Sequence, residues 1–250
     1  METLENQRVV VTGGSRGVGL GIVEALVARK AQVTVVARDA ARLAEVKARL
    51  GVSVIAADVA DAATATAVLR DVRPSVLVLN AGATPAMAPI HEQTWEDFSA
   101  VWNNDVKAGF HWIQEALRLP LPRNSRVLVS SSGAAVAGSP LSGGYAGAKR
   151  MLWLMAKYAN GVSTELALGI RFQALVQMQI IGDTGNGEKA GAAYAKKKGV
   201  SLEAFLAGFG APLSARQIGD HVATILTDAH YETGAAYSLK GDSGIQPLEG

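Results

Sequence analysis

The chain contains no cysteine among its 250 residues. Disulfides, thiolate metal ligands and cysteine nucleophiles are therefore excluded. Histidine is scarce: His91, His111, His221 and His230 are the only four, and no two have the spacing of a zinc pair. No metal site is expected. Charge is sparse at 18%, and 24 basic against 22 acidic residues leave a net +2. That balance supplies no electrostatic field for nucleic acid. A membrane span is not expected either, since the uncharged stretch from Pro74 to His91 contains three prolines, a glycine and an asparagine. Met1 to Arg8 lacks a basic segment followed by an apolar one, so no signal peptide is expected and a cytoplasmic location is the default.

What is abundant is aliphatic residue. Hydrophobic residues make up 49% of the chain, enough for a sizeable core and too many for a disordered chain. They fall into short runs alternating with helical patterns. Arg8–Val11 reads as a strand and Gly19–Lys30 as a helix with Ile22, Val23, Leu26 and Val27 on one face. Strands are expected next at Val33–Val36, Val52–Ala56, Val76–Leu79, Arg126–Val129 and Gly169–Leu175. Helices are expected at Ala40–Leu50, Ala62–Asp71, about Thr94 to Leu117, and Tyr145 to about Leu168. The strands are continuous Val/Ile/Leu runs, as required when both faces of a parallel sheet are covered. Repeated β-α-β units with right-handed crossovers predict an α/β fold, a doubly wound parallel sheet of the Rossmann kind. Nothing marks a second domain, so residues 1–250 are expected to form one. The segment 184–213 breaks the alternation and is read as a small helical lid over a ligand crevice. Its Lys196-Lys197-Lys198 run is read as a solvated helix face.

The first strand runs into Thr12-Gly13-Gly14-Ser15-Arg16-Gly17-Val18-Gly19. Glycines there permit a tight turn, close approach of a pyrophosphate and close helix–strand packing. The helix that follows offers free N–H groups and a positive dipole end to the phosphates. An acid at the tip of the second strand would bind the ribose 2′-hydroxyl of NAD. Here Ala37 stands at the tip with Arg38 after it, and Arg16 lies in the turn. Two guanidinium groups without the acid suit a 2′-phosphate, so NADP(H) is the expected cofactor.

Tyr145 and Lys149 are four apart at the start of a predicted helix and project from one face. A nearby ammonium stabilises a phenolate, making Tyr145 a candidate acid for ketone reduction and base for alcohol oxidation. Ser132, after Val129-Ser130-Ser131, is placed to bind and polarise the substrate carbonyl.

Taken together, the Thr12–Gly19 turn, Asp58-Val59, Asn80-Ala81-Gly82, Ser132 and Tyr145-x-x-x-Lys149 resemble the classical short-chain dehydrogenase/reductase family over essentially the whole chain. The gap of 13 between Ser132 and Tyr145 is the family's, and selects Ser132 over Ser130 and Ser131. The resemblance implies that Asp58 and Val59 lie at the adenine and that Asn80, Ala81 and Gly82 line the cofactor cleft. It also implies that Lys149 holds the nicotinamide ribose, that Ile180 offers its backbone to the carboxamide, and that the assembly is a homotetramer or dimer.

The chain departs from the family at several points. An asparagine whose backbone kink holds a relay water is usual in the fourth helix; that position falls on Asp105. Phe98, Val101, Ala108 and Trp112 lie near the same helical face, and an acid within an apolar stripe is costly unless paired or functional. Asp105 is therefore either a member of the proton relay or an internal hydrogen-bonded acid. The family's Pro-Gly after the sixth strand is Gln177-Met178, and the threonine that often contacts the carboxamide aligns with Gly182, with Thr184 close by. The usual Asp-Gly-Gly near the C-terminus becomes Lys240-Gly241-Asp242-Ser243-Gly244, and Lys30 replaces a glycine closing the first helix.

The expectation is an NADPH-dependent carbonyl reductase, reversible as an alcohol dehydrogenase, acting on a small, mostly apolar ketone or secondary alcohol. Small and aliphatic residues from Ala134 to Gly144, with Tyr194, Phe205 and Phe209 in the lid, suggest that substrate. The alternative is a sensor or scaffold that binds NADP(H) without turnover; a sugar-nucleotide epimerase or dehydratase would need a longer C-terminal region.

Overall fold

Val9, Val10 and Val11 are all wholly buried, which no strand exposed on one face could achieve. They belong to β1 (Arg8–Thr12), at the centre of a sheet covered on both sides. In this computed structural model, which describes residues 3–249 of the chain, alternate residues of that strand enter two different cores. Val9 and Val11 pack with Ile22, Leu26, Ile218 and Val222. Val10 packs on the other face with Leu69, Trp112, Leu152 and Ala156. Met1, Glu2 and Gly250, at the ends of the expected domain, lie outside the described residues.

The chain continues through α1 (Gly17–Ala28), β2 (Gln32–Ala37), α2 (Ala40–Leu50), β3 (Ser53–Ala56), α3 (Ala62–Val72) and β4 (Val76–Leu79). After a 3-10 turn come α4 (Trp95–Val101), a π turn (Trp102–Val106), α5 (Lys107–Arg118), β5 (Arg126–Ser132) and the short α6 (Ala134–Ala137). Then follow α7 (Tyr145–Glu165), β6 (Arg171–Gln177), α8 (Gly185–Lys198), α9 (Leu202–Ala207), α10 (Ala215–Thr227), β7 (Ala236–Lys240) and β8 (Gly244–Pro247). The eight strands lie in the order β3-β2-β1-β4-β5-β6-β7-β8. The order turns back beside β1, so the carboxyl ends of β1 and β4 open a crevice where ligands bind in such sheets. The expected single Rossmann-like domain is what the chain forms.

Three features differ from the sequence expectation. The helix expected as one piece from Thr94 is interrupted by the π turn around Asp105. The last third adds α10, β7 and β8, which were not anticipated, and β8 runs antiparallel to β7, so the sheet is not wholly parallel. The departure at Lys240–Gly244 is the turn between those two strands. Lys30 keeps the glycine-like conformation of the position it occupies, with φ +60°.

Candidate active site

One cavity of about 1040 Å³ runs along the carboxyl ends of the central strands. At one end it is lined by the β1–α1 turn and the tip of β2; at the other by Ser132, Tyr145 and Lys149. Nearly every residue singled out from the sequence meets there: Gly13, Ser15, Arg16, Gly17, Val18, Arg38, Asp58, Val59, Asn80, Ala81, Gly82, Asp105 and Ile180 also line it. Gly19 does not. It is buried beneath the turn, where a Cβ would stand 2.2 Å from the Gly13 carbonyl oxygen and 2.6 Å from Asn80 Nδ2. Its lack of a side chain serves packing.

The turn is built to approach β4 closely. Gly13 has φ +69°, and a Cβ there would fall 2.7 Å from Ala81 Cα. Thr12 Oγ1 donates to Val78 O at 3.3 Å and accepts from the N–H groups of Asn80 and Ala81, at 3.1 and 3.2 Å. These bonds pin the two strand ends that form the crevice. The N-terminus of α1 has neither a side-chain cap nor an acid in its first turn, so its free N–H groups face the cavity as anion donors. Arg16 and Arg38 are exposed at this end. Arg42, which the sequence reading missed, joins them one helical turn beyond Arg38. Asp39 caps α2 through Arg42 N at 3.1 Å and pairs with the Arg42 guanidinium at 3.1 Å. This donor set fits a dinucleotide phosphate.

At the other end, Ser132 terminates β5 and Tyr145 opens α7. Ser131 Oγ donates to Lys149 O at 2.8 Å, tying strand to helix. The Lys149 ammonium lies 5.4 Å from the centre of the Tyr145 ring. Its closest partner is Asp105 Oδ2 at 2.9 Å, and Asp105 Oδ1 accepts from Ala83 N at 2.7 Å. Both charged groups are buried. Burial works against the ammonium, but the Asp105 carboxylate and Tyr145 hold its proton affinity above the ordinary lysine value. Asp105 is thus a paired acid inside the site.

Apolar and aromatic residues of the later segments complete the lining. The rings of Tyr194 and Phe205 stack at 6.0 Å, and Phe209 meets Phe205 edge-on at 5.4 Å. Tyr194 shares a 2.7 Å hydrogen bond with Ser139, joining α8 to the loop after α6. Asn186, at the start of α8, meets Thr84 across the cavity. Lys196, Lys197 and Lys198 are exposed in the last turn of α8, where cations favour the helix dipole. Thr184 caps α8 by accepting from Gly187 N at 3.1 Å. Gln179 is a second missed residue: Nε2 donates to Phe209 O and Ala211 O, both at 2.9 Å, while Oε1 accepts from Gly241 N at 2.6 Å. It ties the sheet to the segment carrying Phe209. Among the described residues, no group of His, Cys, Asp or Glu could hold a metal ion, and no helix is long and apolar enough to cross a membrane.

The short chain dehydrogenase family model matches residues 7–176, and the chain belongs to that family of nicotinamide-dependent oxidoreductases, which act on small molecules. Among its relatives, the short chain dehydrogenase/reductase AacuD of Aspergillus aculeatus is 33% identical over 150 residues, 56% of this chain and 53% of that protein. The chain thus spans about half the length of that relative. An NADPH-dependent pterin aldehyde reductase of Arabidopsis thaliana is 28% identical over 67% of this chain and 72% of its own length. In fold, the chain is similar to levodione reductase, with a TM-score of 0.83 at 22% identity over 95% of this chain and 97% of the other.

Proposed function

We propose that the protein is an NADPH-dependent carbonyl reductase, reversible as an alcohol dehydrogenase, for a small and mostly apolar ketone or secondary alcohol. The observation that carries this reading is the single cavity: guanidinium groups and bare helix N–H groups at one end, Ser132, Tyr145 and Lys149 at the other. Arg16, Arg38 and Arg42 hold a 2′-phosphate, the α1 N-terminus the pyrophosphate, Asp58 and Val59 the adenine, and the Ile180 backbone the carboxamide. Bound NADPH supplies a hydride to the carbonyl carbon. Ser132 donates a hydrogen bond to the carbonyl oxygen and orients it, and Tyr145 donates its proton to that oxygen. Lys149 holds the ribose.

The segment 184–213 acts as a lid whose Tyr194, Phe205 and Phe209 rings exclude water and favour an apolar substrate. Apolar residues exposed on α5, on α7 and just past the end of α7, with Phe110 at 48%, Tyr158 at 58% and Leu166 at 58%, support a homo-oligomer. A cytoplasmic location accords with this chemistry. The test is turnover: purified protein should oxidise NADPH with members of a ketone panel, and Tyr145→Phe should lower kcat/KM by about 100-fold or more. Activity retained in that variant would remove Tyr145 as the acid.

A further inference from the structure

The buried pair of Asp105 and Lys149 bears directly on the phenol beside it. A lone ammonium next to Tyr145 would favour the phenolate. Here the ammonium is 2.9 Å from a carboxylate oxygen that has no other donor among the described residues. The π turn aims Asp105 inward, and the Ala83 N–H fixes its second oxygen. Gly82 makes room for the arrangement: a Cβ there would stand 2.8 Å from Asp105 Oδ2 and 3.4 Å from Lys149 Nζ. Among the described residues, the charged and titratable groups acting on Lys149 are Asp105, from the π turn, and Tyr145, from its own helix. The β4 loop presents backbone at Gly82 and Ala83, and β5 presents the uncharged Ser130 and Ser131.

We infer that Asp105 is a positioning residue that neutralises Lys149 within the site, so that Tyr145 keeps its proton to higher pH than a lone ammonium would allow. For its consequence in turnover, the inference rests on Tyr145 being the proton donor. A phenol that stays protonated extends ketone reduction into alkaline solution and demands higher pH for alcohol oxidation. The overall equilibrium is untouched; only the pH windows of the two directions move. Asp105 also gives Lys149 a fixed position while leaving the ammonium's remaining protons free for the ribose.

The first readout needs neither substrate nor cofactor. The ultraviolet absorbance of tyrosinate is titrated in the full chain and in Asp105→Asn, each against its Tyr145→Phe counterpart, so that the difference isolates Tyr145. Removing the carboxylate should lower the Tyr145 midpoint by about one pH unit or more, with thermal unfolding confirming a folded variant. The alkaline limb of kcat/KM for ketone reduction should move the same way. If Asp105→Asn does not fold, Asp105→Ser removes the same charge and leaves room for water, with the same expected shift. An unmoved midpoint means the acid is merely structural, and a raised one means Lys149 loses its proton instead of transmitting its charge; either overturns the inference. A lowered midpoint in a protein that reduces no ketone supports the inference and counts against the reductase reading. Turnover lost in Tyr145→Phe without any midpoint shift does the reverse.

Discussion

Replacing Gly219 by alanine puts helix propensity and packing in direct opposition. Gly219 and Gly21 mark the crossing of α10 over α1. A Cβ on Gly219 would lie 2.1 Å from Gly21 O and 3.1 Å from the Ala25 Cβ; a Cβ on Gly21 would lie 2.2 Å from Ala215 O. An ordinary carbon–oxygen contact is about 3.3 Å, so the helices must separate by about 1 Å. Opening a packed seam that far forfeits about a quarter to a half of each contact's attraction across it. Ile22, Leu26, Ile218 and Val222 are wholly buried near this crossing, which places the cost near the upper end of the overpacking range, about 3 kcal/mol. Alanine returns about 1 kcal/mol of helix propensity, leaving a net loss of about 2 kcal/mol. At about 2–4 °C for each kcal/mol in a chain of this size, Tm should fall by about 4–8 °C. Gly161, exposed in the interior of α7 with nothing within 4 Å of a Cβ, is the matched control. There alanine should raise Tm by about 2–4 °C. Thermal unfolding of both variants decides the matter. If Gly219→Ala raises Tm as Gly161→Ala does, the helix crossing is not held by close backbone contact.

Two other perturbations address charge. Arg38→Ala should lower kcat/KM with NADPH by about 5–30-fold, the factor for about 1–2 kcal/mol, because an exposed guanidinium is partly screened by solvent. The same measurement with NADH should change little, and an equal loss with both would mean Arg38 does not meet a 2′-phosphate. His221, half-buried on α10, has its imidazole pushed below the ordinary value of 6.5 by burial. The unfolded chain then binds the proton more readily, so stability should rise with pH through that range and fall on acidification. Denaturant titrations across the range should show this slope, and His221→Gln should flatten it.

The first two thirds of the fold could be read from the chain because each central strand carries a short aliphatic run, interrupted only by Thr34 in β2 and Gln173 in β6, and each helix between them shows one apolar face. β7 and β8 escaped notice because Ala-Tyr-Ser-Leu-Lys and Gly-Ile-Gln-Pro are short and mixed in character. A signal for α10 was present: Ser214 and Gln217 form a capping box at its start. At the site, the glycine turn and the Tyr145/Lys149 pair are local patterns and were visible. The partner of Asp105 was not, because it lies 44 residues away and meets the acid only after β5 and α7 have packed. Arg42 left a weaker trace, four residues beyond Arg38 on the face that α2 turns toward the crevice. Gln179 replaces no lost contact that sequence could reveal; its three partners come from segments 30, 32 and 62 residues further on.

The π turn at Trp102–Val106 means that α4 and α5 are joined by a surplus of chain rather than by a break. Each residue advances an α-helix by about 100°, and the wider turn holds one residue more than regular winding needs, so a single deletion within it would restore that winding, leave α4 and α5 in phase and draw in the bulge that carries Asp105. Asp105 would then sweep away from the β4 loop, although every side chain of the site remained in the chain. In this stretch the number of residues is as much a determinant of the chemistry as their identity, and tolerance to insertion or deletion should be lowest where the helix is irregular.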